Sequence, residues 1–115
     1  MILTEQRVLS EIQRLTRREL RLWVQEGWVR PAMGEAGPLF DEVDVARLRL
    51  LCDLRKEMAL PSDAMPVVLT LIDRLHQTRR DLHVLVEVLQ DQPDDVRRLI
   101  SERLRTRVSG WPETE

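Results

Sequence analysis

One stretch, from Ser62 to Gln92, constrains the fold of this chain more than any other. Val68, Leu75, Leu82 and Leu89 recur every seven residues, and Leu71, Thr78, Leu85 and Gln92 follow three behind them. This is an a/d heptad stripe, widened at e by Ile72 and Val86. The spacing predicts one helix of about eight turns. A chain of 115 residues cannot easily cover both sides of so long a helix and still build a separate core. A second copy is therefore expected on part of the stripe, at Val68, Leu71, Ile72, Leu75, Leu82, Leu85, Val86 and Leu89. In a parallel coil Arg74 at g would face the partner's Arg79 at e, which repels. In an antiparallel coil Arg74 approaches the partner's Asp81, Leu75 packs near the partner's Thr78, and Val68 packs near the partner's Leu85. An antiparallel homodimer is the expected arrangement.

The residues before this helix are organised by caps and breakers. Thr4 to about Ile12 reads as a short helix with Val8, Leu9 and Ile12 on one face. Thr16-Arg17-Arg18-Glu19 is a capping box that opens a second helix, with Leu20, Trp23 and Val24 inward. Gly27 supplies the left-handed residue that ends it. Two short helices joined by a tight turn predict a helix-turn-helix. Ala32 to Phe40, with Gly34, Gly37 and Pro38, reads as a hairpin-like wing with marginal strands. Asp41 caps a third helix running to about Met58, with Val45, Leu48, Leu51, Cys52 and Leu54 on its apolar face. Ser62 is expected to cap the long helix, and Pro66 sits harmlessly in its first turn. Pro93 suits the first position of a last helix, with Asp94 and Asp95 at its positive end. That helix reaches about Val108, with Val96, Leu99, Ile100 and Leu104 on one face. The fold class is all-α, with four parts: a winged helix-turn-helix (1–60), a long dimerisation helix (61–92), a C-terminal amphipathic helix (93–109) and a flexible tail (110–115) that holds Trp111.

Charge and chemistry narrow the function. Net charge is −2. Residues 1–30 hold six Arg against four Glu, whereas residues 31–63 hold seven acidic and four basic groups. A nucleic-acid binder usually shows a clear basic face, and this basic excess is small. Arg17, Arg18 and Arg21 on the second helix are the candidate DNA contacts. Among the Arg of the last helix, those near its end suit the negative end of the helix dipole. His76 and His83 are seven apart, not four as in a helical metal pair. Cys52 is the only cysteine and falls on an apolar face, so no disulfide, no metal site and a reducing compartment are expected. No phosphate loop or nucleophile elbow is present. No catalytic residue and no cofactor are expected. The chain also lacks the roughly 18-residue apolar run of a membrane span and a secretory signal at its start. A cytoplasmic, non-enzymatic protein is expected.

The order of capped helix, Gly27, Arg30-Pro31, wing, Phe40-Asp41, helix and long coil resembles the MerR-type winged helix-turn-helix. Arg21-Leu22-Trp23-Val24-Gln25-Glu26-Gly27 takes the place of that family's Arg-Tyr-Tyr-Glu-x-x-Gly stretch. Phe40-Asp41-Glu42-Val43-Asp44-Val45 is similar to its aromatic-aspartate-acidic opening of the third helix. A narrower stretch, Phe40 to Leu75, resembles the chaperone-modulator (CbpM-like) family, whose members bind DnaJ-type co-chaperones. Glu57-Met58-Ala59-Leu60 and Val67-Val68-Leu69-Thr70-Leu71-Ile72-Asp73 carry that likeness. DNA-binding MerR members usually have a Tyr-Arg pair in the wing, where this chain has Gly37 and Pro38.

What the narrower resemblance implies is a regulator that binds and inhibits a J-domain co-chaperone of the Hsp70 system. J-domains present a basic helix, and the acidic residues Glu35, Glu42, Asp44, Asp53, Glu57, Asp63 and Asp73 are the expected complement. The alternative is a MerR-like DNA-binding transcriptional regulator, which the weak basic excess disfavours.

Overall fold

The computed structural model describes residues 1–110, so residues 111–115 of the expected tail, Trp111 among them, lie outside the described residues. The chain divides into two compact units, Met1–Leu71 and Ile72–Glu115. In the first, the elements run β1 (Leu3–Thr4), α1 (Glu5–Glu11), α2 (Arg17–Gln25), β2 (Ala32–Gly34), β3 (Gly37–Phe40) and α3 (Glu42–Cys52). The helical architecture and winged helix-turn-helix expected from the sequence are present. A three-stranded antiparallel sheet of order β1-β3-β2 accompanies them.

Strand β1 departs from expectation. Thr4 caps α1, accepting from the Arg7 N–H at 3.3 Å, but it also ends a strand that pairs Leu3 with Phe40 and Thr4 with Leu39. Two residues are too few to show a period, so nothing local announces this strand. The wing itself is a hairpin with a two-residue loop, Glu35-Ala36, since Gly34 pairs with Gly37. A Cβ at Gly34 would lie 2.8 Å from a Leu39 methyl, so a side chain there requires the Leu39 side chain to shift.

The end of α2 shows how local chemistry sets the core. Gly27 has φ 77°. Its N–H donates to the Val24 carbonyl at 3.1 Å, and the Trp28 N–H donates to the Trp23 carbonyl at 3.0 Å. These are the two bonds of a Schellman motif, which brings the residue after the glycine against the helix's last turn. Accordingly the Trp23 and Trp28 rings lie 6.5 Å apart, and both are buried. Arg47 of α3 donates from Nε to the Trp28 carbonyl. Phe40, Ile12, Leu20, Leu48, Leu51 and Cys52 are among the fully buried side chains of this core. Burial pushes the Cys52 thiol up, as suits a small buried hydrophobe and not a nucleophile.

Asp41 caps α3 through a full capping box. Its carboxylate accepts from the Asp44 N–H at 2.8 Å, and Asp44 accepts from the Asp41 N–H at 3.0 Å. The helix does not continue unchanged to Met58. From Asp53 to Glu57 it widens into a π turn, where the Met58 N–H reaches the Asp53 carbonyl at 2.9 Å. Ala59 then takes a left-handed φ of 55°, and the Leu60 N–H closes back on the Leu54 carbonyl at 2.9 Å. Such single π turns add one residue to the helical circuit.

Ser62 does not cap the long helix. Pro61 holds the cap position of a 3-10 turn, Ser62–Ala64, without a side-chain cap bond. The fixed φ of Pro61 starts this turn in place of a side-chain cap. Helix α4 follows over Met65–Gln90, with Pro66 in its first turn as expected. Met65 and Leu69 are buried in the first unit. They lie off the a/d stripe, in the stretch from Ser62 to about Leu75 that is apolar on several sides, a pattern that predicts packing on the helix-turn-helix body as well as on a partner.

In the second unit α4 continues to Gln90, and α5 runs over Asp94–Arg107. Pro93 is the cap of α5 and not its first helical residue, because its ψ is 154°. Asp94 and Asp95 occupy the first turn, and Arg105 and Arg107 the last, as the helix dipole favours. Val86, Leu89, Val96, Ile100 and Leu104 are half-buried, while Leu99 is exposed. Among the described residues no helix is long and apolar enough to cross a membrane.

Candidate functional site

The surface of α2 is built by its capping box. The Thr16 hydroxyl accepts from the Glu19 N–H at 3.1 Å, and Glu19 Oε1 accepts from the Thr16 N–H at 3.0 Å. That start puts Leu20 and Trp23 into the core and leaves Arg17, Arg18 and Arg21 outside. With Leu22 and Gln25 the three arginines line a shallow open concavity. Their charge is not free. Glu5, the first residue of α1, lies 3.1 Å from Arg17 Nε and 3.0 Å from Arg21 Nε. Among the described residues Arg18 enters no ion pair.

The wing adds no cation. Between Pro31 and Phe40 the only charged residue is Glu35, exposed at the hairpin tip beside exposed Met33.

The acidic residues singled out from the sequence have unequal fates. Glu35, Glu42 and Asp63 are exposed on the first unit. Asp44 is half-buried and committed to the capping box. Burial pushes its carboxyl up, the Asp41 N–H pulls it down, and the neighbouring Asp41 charge adds to a net rise. Asp53 and Glu57 bind Arg14 Nη1 at 2.7 and 2.5 Å. Asp73 is exposed on α4 in the second unit.

Arg14 is the centre of a clasp that sequence reasoning missed. It also donates to the Arg49 carbonyl at 3.1 Å. Lys56 donates to the Arg14 carbonyl and to Glu19 Oε1 at 3.0 Å. The clasp ties the turn between α1 and α2 to the π turn after α3. Its members are far apart in the chain, and no spacing pattern joins them; only the charge of Arg14 in a turn next to a capping box hinted at it.

Burial pushes the Glu19 carboxyl up, but hydrogen bonds from Thr16 and Lys56 outweigh it, and its pKa is lowered on balance. A carboxylate with a depressed folded pKa contributes stability above its unfolded pKa of about 4.3, lost as pH falls through the folded value. Glu19→Gln keeps the capping geometry and removes the charge. It is expected to cost about 0.5–1 kcal/mol at pH 7. The gap in Tm between the variant and the wild type should close as the pH drops below about 4. A gap that stays constant in acid would show that the carboxylate charge is not what stabilises the box.

A family model described as MerR HTH family regulatory protein matches residues 7–64. This chain belongs to the MerR helix-turn-helix family. The match runs from α1 through the wing and α3 to the 3-10 turn. It includes the α2 arginines, the wing and the Arg14 clasp. Neither the curated proteins nor the solved structures return a match to this MerR-family chain.

Proposed function

We propose that this MerR-family chain is a protein-binding regulator that engages and inhibits a J-domain co-chaperone, working as an antiparallel homodimer. The observation that carries the reading is the wing, whose only charge is the exposed Glu35. A wing that reads DNA needs cations for phosphate. The likeness of Phe40 to Leu75 to chaperone modulators supplies the partner class, and a basic J-domain helix is the kind of surface Glu35, Glu42 and Asp63 would meet. Asp44, Asp53 and Glu57 are spent on the fold itself, so they add little to docking. Such rim charges chiefly speed association.

The J-domain of the native co-chaperone, titrated into the protein in a calorimeter, should bind at low salt and more weakly as salt rises. Absence of binding at low salt removes the proposal. A second reading, operator binding, is favoured by the family and by the exposed row Arg17, Arg18 and Arg21. It requires a palindromic site and a steep salt dependence. A gel-shift series over the upstream region of its own operon separates the two.

The dimer reading rests on α4. Leu71, Leu75, Leu82 and Leu85 are each more than half exposed. Val68, Ile72, Val86 and Leu89 are half-buried. Asp81 accepts from Gln77 through Oδ1 at 2.8 Å within its own helix, and a carboxylate has further lone pairs with which to meet the partner's Arg74.

A further inference from the structure

We propose that Glu5 is an internal counter-anion that keeps α2 from holding nucleic-acid phosphates. One oxygen, Oε1, lies 3.1 Å from Arg17 Nε and 3.0 Å from Arg21 Nε. Arg17 and Arg21 are one helical turn apart, so a single anion can serve both. The Glu5 side chain is 20% exposed, against 56% and 68% for the arginines. The carboxylate is thus set into the surface and the guanidinium groups are drawn over it. Glu5 is also the first residue of α1, right after its Thr4 cap. The helix N-terminus favours a negative charge there, so the carboxylate is held in place by the same fold that builds the helix-turn-helix.

A phosphate oxygen seeks the same positive charge as this carboxylate, which also accepts the Arg21 Nε–H at 3.0 Å. Two arginines and one glutamate leave one net charge. The α2 face therefore presents the equivalent of two cations, with Arg18, where its sequence suggests three. Counterion release scales with the number of phosphates neutralised, and one internal anion removes about one of them. Selectivity against nucleic acid would then reside on α1, outside the helix that meets the groove. This holds whichever protein the module binds, and duplex binding and J-domain binding are read in separate assays.

The test uses the full chain and a random-sequence DNA duplex, followed by fluorescence anisotropy over a range of salt. Glu5→Gln should bind on the order of tenfold tighter than wild type at about 50 mM salt, with a log–log salt slope steeper by about 1. Adding Arg17→Ala and Arg21→Ala to Glu5→Gln should abolish that gain. If Glu5 is only a surface contact, Glu5→Gln leaves affinity and slope unchanged, and the proposal fails. It fails too if the gain survives loss of both arginines. Should Glu5→Gln not fold, judged by circular dichroism, Glu5→Ala is measured in its place, and an affinity and slope unchanged from wild type overturn the proposal.

Discussion

A Phe40→Ala variant is expected to lose about 3–5 kcal/mol of stability, measured by chemical denaturation. That is a large part of the roughly 5–15 kcal/mol that holds a small domain folded. Phe40 has no exposed surface. It pairs with Leu3 of β1 and immediately precedes Asp41, the cap of α3. Its ring therefore sits where sheet and helix meet the core. Truncation removes the buried ring and leaves a cavity that a strand end and a helix cap, both fixed by hydrogen bonds, cannot collapse to fill. Leu39→Ala, one residue away and only half-buried, provides the comparison and should cost distinctly less. A Phe40→Ala loss below about 1 kcal/mol would contradict the placement of this ring in a tight core.

The second large effect is on assembly. Leu75→Glu with Leu82→Glu is expected to convert a dimer to a monomer in analytical ultracentrifugation, without loss of helix. The two leucines are 51% and 55% exposed in the single chain. Their replacement therefore leaves the fold of one chain nearly untouched. In a dimer each would bury apolar surface worth on the order of 1 kcal/mol, on both chains, and each glutamate would instead carry a charge into the seam. The sum is several kcal/mol, enough to weaken association more than 100-fold. A wild-type chain that sediments as a monomer at micromolar concentration would end the dimer proposal. So would a double variant that stays dimeric. Direction is tested separately, by a single cysteine at position 82 or 89 of a Cys52→Ser variant. Efficient bonding between the two copies of residue 89 would contradict an antiparallel coil centred near residues 76 and 77.

By itself the sequence determined what short-range chemistry controls. The Thr16 box, the Asp41 cap, the Gly27 stop, the wing and the apolar faces of the first three helices all depend on partners within about one helical turn. The long helix was legible for the same reason, since its heptads repeat. The family was legible from the order of those parts. Even here some termini moved: Ser62 gave way to Pro61, and Pro93 stands just before its helix.

Tertiary structure decided what connects residues far apart. Strand β1 exists because β3 lies beside it. Met65 and Leu69 are core because the first unit offers them a surface, which selects among the several apolar sides of the start of α4. The partners of charged groups were the least legible. Arg14 finds Asp53 across 39 residues, Lys56 finds Glu19 across 37, and Arg21 finds Glu5 across 16. Charge attraction has no period and little directional preference. A list of arginines and carboxylates therefore allows many pairings, and only the packed backbone selects among them. That selection turned part of an apparent acidic docking surface into fold-holding contacts, and it set a carboxylate beneath the arginines that the sequence had offered to DNA.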